Sequence, residues 1–465
     1  MAARRSTFST MVALAALLLS SCGGSDYHFA RPMVMFTAPM NASNINFGQG
    51  VQLAWTSTSA NTCTAGSSST IGGEFSGNQP VNGKATVAPT GTGTVTYTLT
   101  CTGYGGMATA TTAAVTVNAS ILNSLAVSRI ATIGSTVDPI EMGGNPYGLA
   151  LAPVSAGLMS AGDLIVCNFN DGATNTQGLG TTIIGLHPTP GAKPYRIAQS
   201  AALKGCDALA LLPDDAIAAA SFSANDVPLV SSAGSISNSF GADAFAGPWG
   251  AAYAPGNGQN PPALYVSNVD GSIDRIVLAG DSQAGFTKIA TGFCGSGQPG
   301  AIFAPAGLTY DAATDALYIV DTSSNSVVAF GNVSAIPASG IAVDGQCASV
   351  AAPPTPMPSF TGPSASAARV LAHGAPLIAP LSATLLQDGD LLVANADINL
   401  GSGEMPNLVS EVSPVLPGGF VGQAVQLDAG TPGALFGIVA TQDAQGNQLV
   451  YFNDDNSNSV MVLTR

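Results

Sequence analysis

At 465 residues the chain exceeds what one compact core organises, so two or more domains are expected unless one is a large closed β architecture. Only 8% of residues are charged, while 55 Gly and 30 Pro interrupt a background of Ala, Ser, Thr and Val; surface helices want Glu, Lys and Arg, so the mix favours short strands joined by turns, and 46% apolar content excludes general disorder. A net charge of −15 with four lysines gives nucleic acid no electrostatic footing and reads as the solubility charge of an exported protein.

The N-terminal stretch MAARRSTFSTMVALAALLLSSCGGS carries Arg4 and Arg5, an apolar run at 11–19 and small residues before Cys22. That run is too short to span a bilayer, so residues 1–21 read as a secretory signal. LSSC at 19–22 resembles the bacterial lipoprotein lipobox. The resemblance implies cleavage before Cys22, lipidation of its thiol and a short tether at 22–31. Loss of residues 1–21 would take the net charge from −15 to −17, since Arg4 and Arg5 leave and no acid does. Gly23 rather than Asp after the cysteine implies, by the same resemblance, sorting to an outer membrane. Several acyl chains on one residue would make that anchor stable. The expected location is therefore the cell envelope, on the periplasmic or surface face, with the membrane as one partner through the lipid.

With Cys22 assigned to lipid, Cys63, Cys101, Cys167, Cys206, Cys294 and Cys347 remain. An even number in an exported protein reads as disulfides, and the absence of any C-x-x-C spacing leaves a zinc site or a thioredoxin-like motif without support. Residues 32–118 read as all-β. VQLAW (51–55) places Val51, Leu53 and Trp55 on one face, and TVTYTLTC (94–101) sets Val95, Tyr97, Leu99 and Cys101 against alternating threonines. AAVTV (113–117) repeats the period, and such alternation predicts half-buried antiparallel strands. Cys63 follows the Trp55 strand and Cys101 closes the other, which predicts a bridge across two sheets. It would close a 38-residue loop and contribute about 3–4 kcal/mol. LAWTSTSANTCTA (53–65) and YTLTCTG (97–103) resemble the immunoglobulin-like modules of exported bacterial proteins. Leu99, not Tyr, stands two residues before the second cysteine, so no tyrosine corner is implied. The resemblance implies a spacer or adhesive unit, followed by a linker at 119–124.

From residue 125 to 465 the chain repeats. NPYGLALAP (145–153), GCDALALLP (205–213), GPWGAAYAP (247–255), APAGLTYDA (304–312), APLSATLLQ (379–387) and ALFGIVATQ (434–442) each join a small residue to an alternating apolar strand. The marks Gly148, Ala208, Gly250, Gly307, Ser382 and Gly437 recur at intervals of 42 to 75 residues. A second strand follows each (DLIVCN, AIAAASF, ALYVSN, ALYIVD, DLLVAN, QLVYFN), and after a polar turn a third, clearest in NSVVAF (325–330) and NSVMVL (458–463). Three readable strands six times over, with a weaker fourth, predict a β-propeller. PAGLTYDAATDALYIVDTSSNSVVAF (305–330) resembles an NHL repeat closely; the second unit, with ASFSAND, departs from the pattern. The chain ends just after the third strand of the sixth unit, so LAVSRIATIG (125–134) is expected to supply that blade's outer strand and pin the ring shut. The Pro/Ala/Ser-rich stretch 331–379 is expected to loop outside the blades. Cys167 and Cys206 could meet near the axis, and Cys294 and Cys347 could clip the loops around the fourth unit.

Motifs for chemistry fall short. GSGQPG (295–300) satisfies G-x-G-x-x-G but leads into a strand rather than a helix. His28, His187 and His373 are too few and too scattered for a three-histidine zinc site. NDDNSN (453–458) begins like a calcium loop but lacks its Gly and distal Glu, which leaves at most a casual Ca2+ site; no other cofactor is expected. Trp55 and Trp249 are the only tryptophans, which speaks against a quinoprotein propeller, and Glu141 and Glu404 sit in irregular segments. One constellation remains: Asn168, Asn268, Asp321, Asn395 and Asn453 close the second strand in five of six units. They could ring a ligand or metal, as acids and asparagines do in propeller lactonases. Alternatively, each could accept backbone N–H groups two residues on and organise a turn. A device copied in nearly every unit favours the second, because a site needs differentiated residues.

The sequence therefore predicts an all-β chain: an N-terminal immunoglobulin-like β-sandwich at 32–118, then a six-bladed NHL-like propeller at 125–465 closed by an N-terminal strand. Its expected role is a lipid-anchored binding or scaffolding module for a protein or carbohydrate partner. The competing class is a divalent-metal-dependent hydrolase or lyase with its site at a channel mouth.

Overall fold

The computed structural model describes residues 28–125, 129–241, 244–295, 299, 303–344, 356–395 and 404–465. Cys22, the signal segment, Cys347 and most of GSGQPG lie outside them. No helix among the described residues is long and apolar enough to cross a membrane.

The N-terminal module holds three sheets around one core. Met33–Ala38, Val51–Thr58 and Gly83–Val87 form the first; Ser43–Asn46, Val115–Asn118 and Gly93–Val95 the second; Gly77–Gln79, Thr62–Ser67, Tyr97–Gly103 and Gly106–Thr111 the third. Val51, Leu53 and Trp55 point inward, as do Val95, Tyr97, Leu99 and Cys101. Trp55 donates from Nε1 to Pro80 O (2.9 Å) and packs edge-on to Phe36 and Phe75. Two expectations need correction. TVTYTLTC keeps one alternation but serves two sheets: Val95 pairs with Val115, while Tyr97 pairs with Ser67. The Cys63–Cys101 bridge forms, yet it lies within a single sheet, because the two cysteines stand directly opposite on adjacent strands with their Cα atoms 4.0 Å apart. That separation is near the closer of the two antiparallel spacings, where side chains approach most nearly.

Six further sheets of at least four strands follow. Their innermost strands are Gly144–Leu151, Cys206–Leu211, Pro248–Ala254, Pro305–Asp311, Pro380–Leu385 and Leu435–Gln442, so all six repeat marks lie on inner strands. Each inner strand neighbours the next, and the sixth neighbours the first, which closes a six-bladed propeller. The marks are small because the inner strands converge: a Cβ on Gly250 would stand 2.0 Å from Ala306 O, and one on Gly437 2.6 Å from Tyr147 O. Blade six takes its outer strand from Ile130–Ser135, which pairs antiparallel with Ser459–Thr464.

The 331–379 stretch is not wholly loop. Ala368–His373 is the outer strand of blade four, while Ile341–Asp344 joins blade three by parallel pairing and Ser359–Thr361 pairs beyond it. Ile341 and Val343 alternate with Ala342 and Asp344, a short signal submerged among Pro and Ser. Residues 119–124 are likewise structured. A single helical turn at Ile121–Ser124, capped by Ser120 Oγ, presses Ile121 and Leu122 into the core shared by blades five and six.

Candidate functional site

The inner strands run side by side along the propeller axis, and residues around the repeat marks line a cavity of about 100 Å3. Gly148, Ala208, Gly307, Ser382 and Gly437 line it, so five of the six repeat marks face the axis. One wall is aromatic. Tyr147 is sandwiched between Phe169 (ring centroids 4.1 Å) and Phe436 (3.8 Å), and Trp249 meets it edge-on at 6.0 Å. Such offset and edge contacts fix ring orientation beyond what burial alone does.

Asp207 supplies the cavity's one carboxyl among its described lining. It stands beside Cys206, whose bridge to Cys167 ties the inner strand of blade two to the second strand of blade one, Cα to Cα 5.8 Å apart. This is the pairing expected near the axis. Only 7% of Asp207 is exposed, and neither carboxyl oxygen has a hydrogen-bond partner. The backbone N–H of Phe222 lies nearby but donates to Gly205 O (2.8 Å). Burial therefore pushes the Asp207 carboxyl well above the usual range. A neutral acid in such a cavity can both donate and accept a hydrogen bond.

The five second-strand residues are buried and engaged with their surroundings. Asp321 accepts from Ser323 N (3.1 Å), Ser323 Oγ (2.7 Å) and Ser324 Oγ, organising its own turn. The asparagines reach further than a local turn. Asn168 donates to Thr136 O (3.1 Å), Asn395 to Pro376 O (3.1 Å) and Asn453 to Tyr147 O (2.9 Å). Asn268 donates to Asp274 Oδ2 (2.8 Å) and accepts from Ala246 N (3.2 Å). All four amides thus staple the end of a second strand to a segment entering an inner strand or to the inner strand of the next blade. The side chains of blade two differ: Ser221 stands at the equivalent place.

Other sequence candidates fall elsewhere. His187 Nδ1 meets Asp163 Oδ1 at 2.6 Å, and His373 lies on the outer strand of blade four. In NDDNSN, Asp454 accepts from Ser457 Oγ (2.7 Å) and Asn456 donates to Asp428. Glu141 sits 3.9 Å from Arg196, and Glu404 is exposed. Cys294 is disulfide-bonded. Sequence reasoning misses Asp207, whose only signal is a charge inside the alternating run GCDALALLP. It also misses Asp388, Asp390 and Glu411, the one group of three acids among the described residues placed closely enough to share a cation. Their signal is the DGD turn at 388–390 and a glutamate within the buried run LVSEV.

No protein-family model and no curated protein matches the sequence. Among solved structures, virginiamycin B lyase from Staphylococcus aureus is similar at 14% identity over 69% of this chain and 95% of that one, with a TM-score of 0.40. A 6-phosphogluconolactonase-like protein from Bacteroides uniformis is similar at 10% identity over 67% and 85%, TM-score 0.37. Fibronectin type III-like modules of Clostridium thermocellum cover 19% of this chain and 99% of their own, at 12% identity and a TM-score of 0.16. The architecture rests on the chain's own strand pairing rather than on these scores.

Proposed function

We propose that this chain is an exported envelope protein, lipid-anchored at Cys22, whose NHL-like propeller binds a protein or carbohydrate partner through the axial cavity. The immunoglobulin-like sandwich acts as its spacer. One observation carries the reading: the cavity is walled by small repeat-mark residues and aromatic rings, and holds one unpartnered acid. A neutral Asp207 offers a donor and an acceptor to a hydroxyl or amide, while Tyr147 and Trp249 offer ring faces and edges. Strand direction adds a second support. On blade five the cavity is lined by Leu381, Ser382 and Ala383, whereas the sandwich contacts the 386–390 turn, beyond the end of that inner strand. The sandwich contacts thus fall beyond the cavity's lining on blade five.

A metal-dependent hydrolase or lyase would need several ligands converging on the channel mouth, and the described lining supplies a single carboxyl there. The test is a glycan and peptide binding screen of the mature chain, repeated with Asp207→Ala. Losing a buried hydrogen bond should weaken a bound ligand about tenfold. Binding indifferent to Asp207→Ala would remove the cavity from the reading, and turnover of a lactone or glycan abolished by Asp207→Asn would replace binding with catalysis.

A further inference from the structure

The turn at 386–390 in blade five brings Asp388 and Asp390 next to Glu411 on the third strand, Leu408–Val412. One carboxylate oxygen from each lies within 4.8 Å of the other two. Asp390 is 2% exposed and Glu411 1%. Asp390 Oδ2 accepts no hydrogen bond. The Ser413 hydroxyl beside Asp390 donates instead to Gly48 O (2.5 Å). None of the ion pairs among the described residues reaches this cluster.

Two nearly buried carboxyls with a third acid beside them and no cation are costly unless something neutralises them. The cluster is all oxygen, which selects hard cations over zinc or copper. Ca2+, with ligands at about 2.3–2.6 Å in flexible geometry, accommodates three irregularly placed side-chain oxygens better than Mg2+, which demands near-ideal octahedral geometry at about 2.0–2.1 Å.

The surroundings give the site a purpose. Asn46 Nδ2 of the sandwich donates to Asp388 Oδ2 (3.0 Å), and Gln49 Nε2 to Asp388 O (3.2 Å). Gly48 packs so closely that a Cβ there would sit 2.1 Å from Asp390 Oδ2. Glu411 accepts from the backbone N–H of Leu122 (2.7 Å) and Ile121 (3.3 Å) on the connecting helix. Sandwich, connector and propeller meet on these acids. We propose that Asp388, Asp390 and Glu411 bind one Ca2+ ion that locks the sandwich onto blade five.

The experiment uses the mature chain stripped with chelator and titrated calorimetrically with CaCl2 and, separately, MgCl2. The expected result is one Ca2+ per chain with Kd at or below about 10⁻³ M, as extracellular modules show, and Mg2+ at least about tenfold weaker. Ca2+ should also raise Tm and slow proteolysis across 119–124. Asp390→Asn and Glu411→Gln should each cut Ca2+ affinity at least about tenfold, with far-UV dichroism unchanged in chelator. Glu411→Gln keeps an acceptor oxygen for the shorter of the two connector hydrogen bonds, that from Leu122 N–H, so it remains informative if Asp390→Asn fails to fold. No stoichiometric Ca2+ binding by the natural chain at millimolar concentration would overturn the proposal. So would both variants binding as the natural chain does.

Discussion

Asp207 and Asp321 are both buried acids in the propeller, yet their surroundings give them different work. Asp321 is held by Ser323 and Ser324, whose hydroxyls and one N–H answer its charge. Four of its counterparts are asparagines that carry no charge at all, so the position requires hydrogen bonding rather than a carboxylate. Asp207 has no such partners, and its raised carboxyl makes the folded state bind a proton that the unfolded chain releases near the ordinary Asp value of about 4. Between that value and the raised one, the folded state holds more protons than the unfolded. Stability must therefore fall as pH rises through this window, by up to about 1.4 kcal/mol per pH unit for one such group. Asp207→Asn should flatten this component of the curve and raise Tm at pH 8 relative to the natural chain, with the difference shrinking toward pH 4. Melting curves at stepped pH check it, and a Tm difference independent of pH would refute the assignment.

At the scale of elements, the Cys63–Cys101 bridge joins two neighbouring strands of one sheet across a sequence separation of 38. Replacing both cysteines by alanine should destabilise the sandwich by about 3–4 kcal/mol through the freed unfolded chain, enough to separate its melting from that of the propeller. Calorimetry would read this as a new low-temperature transition; a single unshifted transition would contradict it. Local pattern makes most of these elements legible in the amino-acid sequence: Val51, Leu53 and Trp55 declare one buried face by alternation, and the second strands Leu164–Asn170 and Gln448–Asp454 declare burial on both faces by a short apolar run. Alternation cannot tell that Val95 and Tyr97 face one core from two sheets, because a strand that changes sheets keeps its period. The outer strands are faint for a related reason. Ile236–Phe240 has one buried residue among five, so the apolar signal that marks an inner strand is largely missing. The acids at 388, 390 and 411 are invisible as a group in the sequence, since only the blade-five hairpins and the docked sandwich bring them together.

At the scale of the whole molecule, six blades close because the first strand of the propeller completes the last blade. Ile130 pairs with Leu463 and Ser135 with Ser459, with one irregularity between Thr132 and Gly134. Without that strand, Ser459–Thr464 would present an open edge of buried Val460, Val462 and Leu463. An open edge both loses ladder hydrogen bonds and templates pairing with another chain. A chain beginning at residue 119, which keeps the helical turn buried against blades five and six, should therefore remain monomeric and melt cooperatively, since its ring is complete. A chain beginning at residue 136 should melt at a lower temperature and form dimers or aggregates through blade six. Size-exclusion chromatography with calorimetry distinguishes the two, and a monomeric 136–465 chain with an unchanged Tm would mean that the inner strands alone hold the ring. The axial cavity is lined by residues from Tyr147 onward, so neither truncation removes part of its lining. Ligand binding by the 119–465 chain, set against the natural chain, would then separate what the propeller does from what the N-terminal module contributes.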